Sequence, residues 1–280
     1  MITEVIHLND YFPRVAARGN DPTLTAYIPD GTPDIEADRR RPSIIVCPGG
    51  GYTFVSDREG EPVALAFAAR GYNAFVLKYS VTPAHYPTQL AEAAAAAAMV
   101  RRNAENWHVD TNAVIACGFS AGGHVAACLG ILGAREATLE AAGVRAEECK
   151  LNGMILGYAV LTSGEFAHRD SFINLLGEKA TEEELRAVSL ELQVDENTPP
   201  AFLWHTASDD LVPVMNSVLL AQSLNLHEVP FEMHVFDKGV HGLALCNWVT
   251  AGPSRPFHVN PFAEKWLDLC ESWVKRNYIS

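Results

Sequence analysis

Ala113-Val114-Ile115-Ala116-Cys117-Gly118-Phe119-Ser120-Ala121-Gly122-Gly123-His124-Val125-Ala126-Ala127-Cys128-Leu129 is the stretch on which the reading of this chain turns. Its first five residues make an apolar run of strand length, and the residues from Gly123 onward read as the start of a helix. Between them sits Gly118-Phe119-Ser120-Ala121-Gly122. A strand, a Gly-x-Ser-x-Gly turn and a helix form an elbow that holds the serine on a strained turn with its hydroxyl exposed. The glycines are needed because side chains there would collide with the neighbouring strand or helix. With glycine at about 7% of residues, the five-residue pattern arises by chance in roughly one chain in fifteen of this size. The rival reading is an incidental serine in a Gly-rich turn, and the rest of the chain has to decide between them.

A serine hydroxyl is a weak nucleophile near neutral pH and needs a general base within hydrogen-bond reach. Histidine suits that task because its pKa lies near working pH. A carboxylate behind the histidine then fixes its tautomer and stabilises the imidazolium. This chain supplies the three groups in the order Ser, Asp, His, each after an apolar run. His205-Thr206-Ala207-Ser208-Asp209-Asp210-Leu211-Val212-Pro213 closes one such run, and Gly239-Val240-His241-Gly242 follows another. His241 is the expected base and Asp209 the expected acid. The spacing Asp-x-x-Val-Pro puts Asp209 at the strand end and returns Val212 to the core, which leaves Asp210 as a solvated or capping residue.

Acyl transfer also needs N–H donors for the developing oxyanion. Pro48-Gly49-Gly50-Gly51-Tyr52 offers backbone N–H groups with no side chains in the way. Gly50 and Gly51, with Ala121 after the serine, are the expected donors. Tyr52, Tyr158 and the stretch Leu243 to His258, including Trp248 and Phe257, follow these loops and are expected along an acyl or sugar pocket. His124 is expected beneath the turn, and His205 is expected as a hydrogen-bonded core histidine. The sequence contains no His-Glu-x-x-His, no Gly-x-x-x-x-Gly-Lys and no Gly-x-Gly-x-x-Gly, so metal-peptidase, phosphate-loop and dinucleotide readings lack their motifs. No metal site is expected.

Strand and helix signals alternate almost end to end, which predicts a mostly parallel sheet covered on both faces. The expected strands are Ile2 to Leu8, Thr23 to Ile28, Ser43 to Cys47, Asn73 to Tyr79, Ala113 to Cys117, Leu151 to Tyr158, Ala201 to Thr206 and Phe231 to Phe236. The first two are expected to pair antiparallel. Helices are expected near Glu61–Arg70, Pro87–Asn106, Gly122–Leu132 and Val214–Leu226, with an amphipathic helix in Asn260 to Tyr278. The aromatic stripe of that last helix reads as core, and the run Ala93 to Ala98 reflects helix propensity. Residues 162–200 read as a small helical excursion near the site mouth, within one domain spanning 1–280.

At 280 residues and 48% apolar composition the chain can bury a large core. A net charge of −13 argues against nucleic acid or an anionic membrane as partner. No run of eighteen apolar residues suggests a membrane span. The N-terminus lacks the features of a secretory signal, so a cytoplasmic location is expected. Six cysteines without a Cys-x-x-Cys pair read as buried free thiols.

Pro-Gly-Gly-Gly-Tyr at 48–52, Gly-Phe-Ser-Ala-Gly-Gly-His at 118–124, Pro-Pro-Ala-Phe-Leu-Trp-His-Thr at 199–206 and His-Gly-Leu at 241–243 together resemble the bacterial α/β-hydrolases of the acetyl esterase, acetyl xylan esterase and feruloyl esterase group. Cys47-Pro48 stand where that group often has histidine before the glycines, and Tyr158-Ala159-Val160 stand where it often has Tyr-Pro-Val. The resemblance implies a serine carboxylic-ester hydrolase with no cofactor, acting on small or oligosaccharide esters, acetylated carbohydrate foremost. Two other readings remain. One is an amidase, such as an arylformamidase, or a small peptidase on the same scaffold; the other is a non-catalytic binding protein that kept the fold.

Overall fold

The computed structural model describes residues 1–279. Eight strands form one sheet: β1 (Ile2–His7), β2 (Thr23–Ile28), β3 (Arg41–Cys47), β4 (Asn73–Lys78), β5 (Val109–Phe119), β6 (Gly153–Gly157), β7 (Ala201–Thr206) and β8 (Phe231–Phe236). Their order across the sheet is β1-β2-β4-β3-β5-β6-β7-β8. β1 and β2 pair antiparallel, as do β2 and β4, and every later pairing is parallel. The eight-stranded, mostly parallel α/β architecture is the one the alternating signals predict.

Period two explains both cores. On β3, Ile44 and Val46 face one layer while Ile45 and Cys47 face the other; on β5, Ile115, Cys117 and Phe119 oppose Val114 and Ala116. The first layer receives α1 (Glu61–Ala68) through Val63, Ala64 and Phe67, and α6 (Trp266–Tyr278) through Trp266, Cys270, Trp273 and Val274. Trp204 of β7 stacks on Trp266 with ring centroids 5.1 Å apart, so the aromatic stripe of α6 is core. The second layer receives α2 (Thr88–Arg102) and α3 (Ser120–Leu132). Residues Ala93 to Ala98 of α2 are buried on every side, since the helix also packs against the short helices Glu136–Ala142 and Ala146–Cys149. Alanine there reflects close packing as well as propensity.

The differences from the predicted bounds have local causes. α2 stops at Arg102 because Asn103 leaves the helical conformation, at φ −98° and ψ +18°, and its side-chain amide caps the Met99 carbonyl at 3.0 Å. β6 ends at Gly157 because Tyr158 turns out of the strand at φ +35°. α3 begins at Ser120 rather than Gly122. In residues 162–200 lie α4 (Arg169–Leu176) and the short helix Glu182–Ala187, which Thr181 and Glu184 close with a capping box. α5 (Met215–Leu226) connects β7 to β8. All six cysteines are free and buried. Among the described residues, no helix is long and apolar enough to cross a membrane.

Candidate active site

Ser120 sits where β5 gives way to α3, at φ +52°, a left-handed conformation costly for a residue with a Cβ. The flanking glycines permit it. A Cβ on Gly118 would lie 2.2 Å from the Gly122 carbonyl oxygen, and one on Gly122 would lie 2.1 Å from that of Cys47. No side chain fits at either place, so the turn closes tightly against the end of β3.

His241 follows β8 and brings Nε2 to 2.8 Å from the Ser120 hydroxyl oxygen. Its Nδ1 lies 2.8 Å from Asp209 Oδ2. A carboxylate only accepts, so Nδ1 carries the proton and Nε2 presents its lone pair to the serine hydroxyl. The Asp209 side chain is fully buried at the end of β7, and its Oδ1 accepts the Leu211 and Val212 N–H groups at 3.0 and 2.9 Å. Burial pushes its carboxyl upward, but hydrogen bonds from His205 and His241, the charge of His241 and the Val212 N–H outweigh it. The net effect holds Asp209 well below the usual carboxylate range. Asp210 is exposed, and the carboxylate that meets His241 is that of Asp209.

The loop after β3 reaches the same place. Gly50, with φ +131°, and Gly51, with φ +60°, line a cavity of about 650 Å³ together with Ser120 and His241. Among the described residues, the N–H groups of Gly50, Gly51 and Ala121 donate to no protein acceptor. The Gly49 N–H, by contrast, is taken by Glu59 Oε2 at 2.8 Å.

The three expected pocket aromatics do not line this cavity. Tyr52 is buried beneath the loop, where its hydroxyl meets His124 Nδ1 at 2.7 Å. Tyr158 is buried too, donating to Glu59 Oε1 at 2.6 Å and accepting from the Ala244 N–H at 2.9 Å, with its ring edge-on to His241. Trp248 is 80% exposed on a short helix outside the cavity. Phe257 also lies outside it. His124 donates through Nε2 to the Val188 carbonyl, and burial, against that bond, pulls its pKa down to about 4. It is therefore a neutral packing residue. His205 bonds Ser217 Oγ and the Val212 carbonyl, as a core histidine should.

The stretch Leu243 to His258 does reach the cavity, through Arg255 and His258, and residues that the sequence did not single out shape the rest of it. Glu59 supports it from within, and Arg58, His168, Asp170 and Asn174 line it. Glu59 and Arg58 lie in a charged stretch, Ser56-Asp57-Arg58-Glu59-Gly60, which on its own reads as a solvated loop. No spacing signal marks one of its acids as inward-facing. His168, Asp170 and Asn174 come from the excursion between β6 and β7.

The family model for BD-FAE matches residues 32–224. The endo-1,4-beta-xylanase B of Butyrivibrio fibrisolvens is 38% identical over 239 residues, which cover 83% of this chain and 36% of that protein. The chain thus spans about a third of that relative's length. Among solved structures, the acetyl ester-xyloside bifunctional hydrolase of Caldicellulosiruptor lactoaceticus is 35% identical with a TM-score of 0.83, covering 99% of this chain and 97% of that one. A carboxylesterase of Lactobacillus plantarum is 30% identical with a TM-score of 0.86, covering 100% and 98%. Family match, shared sheet and near-complete coverage agree: the chain belongs to the BD-FAE family, in the esterase group of the α/β-hydrolases.

Proposed function

We propose that this protein is a serine carboxylesterase that removes small acyl groups, acetyl above all, from carbohydrate esters such as acetylated xylo-oligosaccharides. The observation that carries the reading is the chain Ser120–His241–Asp209, two contacts of 2.8 Å each, facing a cavity beside unused backbone donors. Ser120 Oγ attacks the ester carbonyl while its proton passes to His241 Nε2. The carbonyl oxygen takes the negative charge and is met by the N–H groups of Gly50, Gly51 and Ala121, each such donor being worth about 2.7–4 kcal/mol in other hydrolases. Collapse breaks the bond to the alcohol oxygen, which receives the proton from His241. Water, deprotonated by the same imidazole, then attacks the acyl-serine, releasing the carboxylic acid and restoring Ser120.

The named activity of the Caldicellulosiruptor relative supports acetyl esters and xylosides as the substrate class. The test is hydrolysis of p-nitrophenyl esters from acetate to octanoate, then of acetylated xylo-oligosaccharides, by parent and Ser120→Ala. Activity that is highest on acetate and lost in the variant is the expected result. Ser120-dependent cleavage of formyl anilides in preference to acetyl esters would move the protein to the amidases, and full activity of Ser120→Ala would remove the mechanism.

A further inference from the structure

The cavity over Ser120 is lined by two sets of charged groups. His168, Asp170 and Asn174 belong to the α4 side, where Asn174 holds the Gly51 carbonyl at 2.8 Å. Arg58, Arg255 and His258 belong to the side of the His241–Gly242 loop. Arg58 Nη1 comes within 3.9 Å of where a Cβ on Gly242 would stand, and His258 Nε2 lies 3.3 Å from the His241 carbonyl.

Neither guanidinium on this side is neutralised. Arg58 donates through Nε to the Thr250 carbonyl at 2.6 Å, which fixes the group in place. Its Nη2 is buried and without a partner. Arg255 is exposed, and its side chain meets no acceptor among the described residues. Elsewhere Arg40, Arg70, Arg102, Arg145 and Arg276 each find a carboxylate. What sets Arg58 and Arg255 apart from the other arginines without a carboxylate is their place: both line the cavity that holds Ser120, and the Arg58 Nη2 is buried there. Asp57, Glu59 and Asp170 share the cavity, and none of them forms an ion pair with either arginine. Glu59 spends both oxygens on Gly49 and Tyr158. The two charges converge on His258, whose pKa is lowered by burial first and then by Arg58, with Arg255 acting in the same direction.

We propose that Arg58 and Arg255 recognise a carboxylate on the substrate, so that an ester carrying an anionic group beside the scissile bond is cleaved more efficiently than its neutral counterpart. The inference rests on the serine-esterase reading of the same site. A guanidinium presents a planar fork that matches a carboxylate, and its weak hydration lets it act in a partly closed cavity. The surface as a whole, at net charge −13, repels anions, so a preference for one has to come from this local pair.

The experiment uses matched ester pairs. Mono-p-nitrophenyl glutarate against p-nitrophenyl valerate puts the charge on the acyl side, and p-acetoxybenzoate against its methyl ester puts it on the alcohol side. For one of the pairs, the ratio of kcat/KM, charged over neutral, is expected to fall about tenfold or more in Arg58→Gln/Arg255→Gln, the scale of a charge-assisted hydrogen bond. It is expected to fall further in Arg255→Glu and to shrink with added salt in the parent. Arg255 is exposed, so that variant tests the idea without disturbing the core. Ser120-dependent hydrolysis of the neutral esters with both ratios unchanged by the substitutions overturns this inference alone. No Ser120-dependent hydrolysis of any ester overturns the esterase reading and this inference with it.

Discussion

The Glu59 carboxylate and the Tyr158 hydroxyl meet at 2.6 Å, and through this contact two loops from distant parts of the chain are tied together. Glu59 also accepts the Gly49 N–H at 2.8 Å, which anchors the glycine loop. Tyr158 also accepts the Ala244 N–H at 2.9 Å and packs edge-on against His241, which anchors the loop that carries the base. A carboxylate suits the centre of this network because it offers two acceptors and no donor.

Glu59→Gln tests that role. The amide can satisfy the Tyr158 hydroxyl or the Gly49 N–H, but its own donor then faces the other. We expect kcat on p-nitrophenyl acetate to fall about 10–100-fold, the cost of a displacement near an ångström. KM is expected to change little, and stability to drop by about 1–3 kcal/mol from the unsatisfied buried group. Tyr158→Phe should lose part of the same network, and the double variant should lose less than the sum. A loss of stability with kcat intact would reduce Glu59 to a structural residue.

Asp209 and Asp210 are neighbours in sequence with opposite environments, one with a fully buried side chain on His241 and the other exposed. Asp209→Asn would turn an amide donor toward His241 Nδ1 and favour the wrong tautomer. A kcat loss of about 10⁴-fold is expected by analogy with other triads. Asp210→Asn should keep kcat close to that of the parent. Equal losses in the two variants, measured on p-nitrophenyl acetate, would contradict the assignment of Asp209.

Gly122→Ala tests how tightly the elbow is closed. The added Cβ would stand 2.1 and 2.2 Å from the carbonyl oxygens of Cys47 and Pro48, both backbone atoms that cannot swing aside. A destabilisation of at least about 1–3 kcal/mol is expected. Activity should fall even at temperatures where the variant is folded, because relief of the clash moves the glycine loop away from Ser120. Thermal melting and p-nitrophenyl acetate turnover on the same sample separate the two effects, and a variant with parental Tm would show that the turn has room to spare.

The frame of the molecule was legible in the sequence because strands buried on both faces announce themselves. Ile44-Ile45-Val46 and Val114-Ile115-Ala116-Cys117 read as strands and are strands. The elbow was legible because Gly118 and Gly122 leave no room for any other residue type. The walls of the cavity were legible only in the stretch Leu243 to His258, which contributes Arg255 and His258. Tyr52 and Tyr158 follow the expected loops, yet whether an aromatic after a strand faces ligand or core depends on a partner far along the chain, here His124 and Glu59. Glu59 itself sits in a charged stretch whose pattern says solvent, and it turns inward only because Tyr158 and the Gly49 N–H are waiting for it.

Glu92 offers a stability test apart from the site. It lies within α2, fully buried, and its two oxygens accept the Ser80 hydroxyl at 2.5 Å and the Ser80 N–H at 2.7 Å. Burial raises its pKa from 4.5 to about 7, with the Ser80 hydrogen bonds and the charge of Arg18 opposing the rise. Between these two values the folded chain holds a proton that the unfolded chain has released, so stability falls as pH rises through that window and levels off above it. Gln keeps the shape, can accept from the Ser80 N–H and can donate to the Ser80 hydroxyl. Glu92→Gln is therefore expected to melt higher than the parent at pH 8 and to lose the advantage near pH 4. The gain is bounded at about 3 kcal/mol and reduced by the weaker hydrogen bonds of a neutral amide. Melting curves across that pH range decide it: a difference that does not vary with pH would mean that Glu92 titrates alike in the folded and unfolded chain, without the raised pKa.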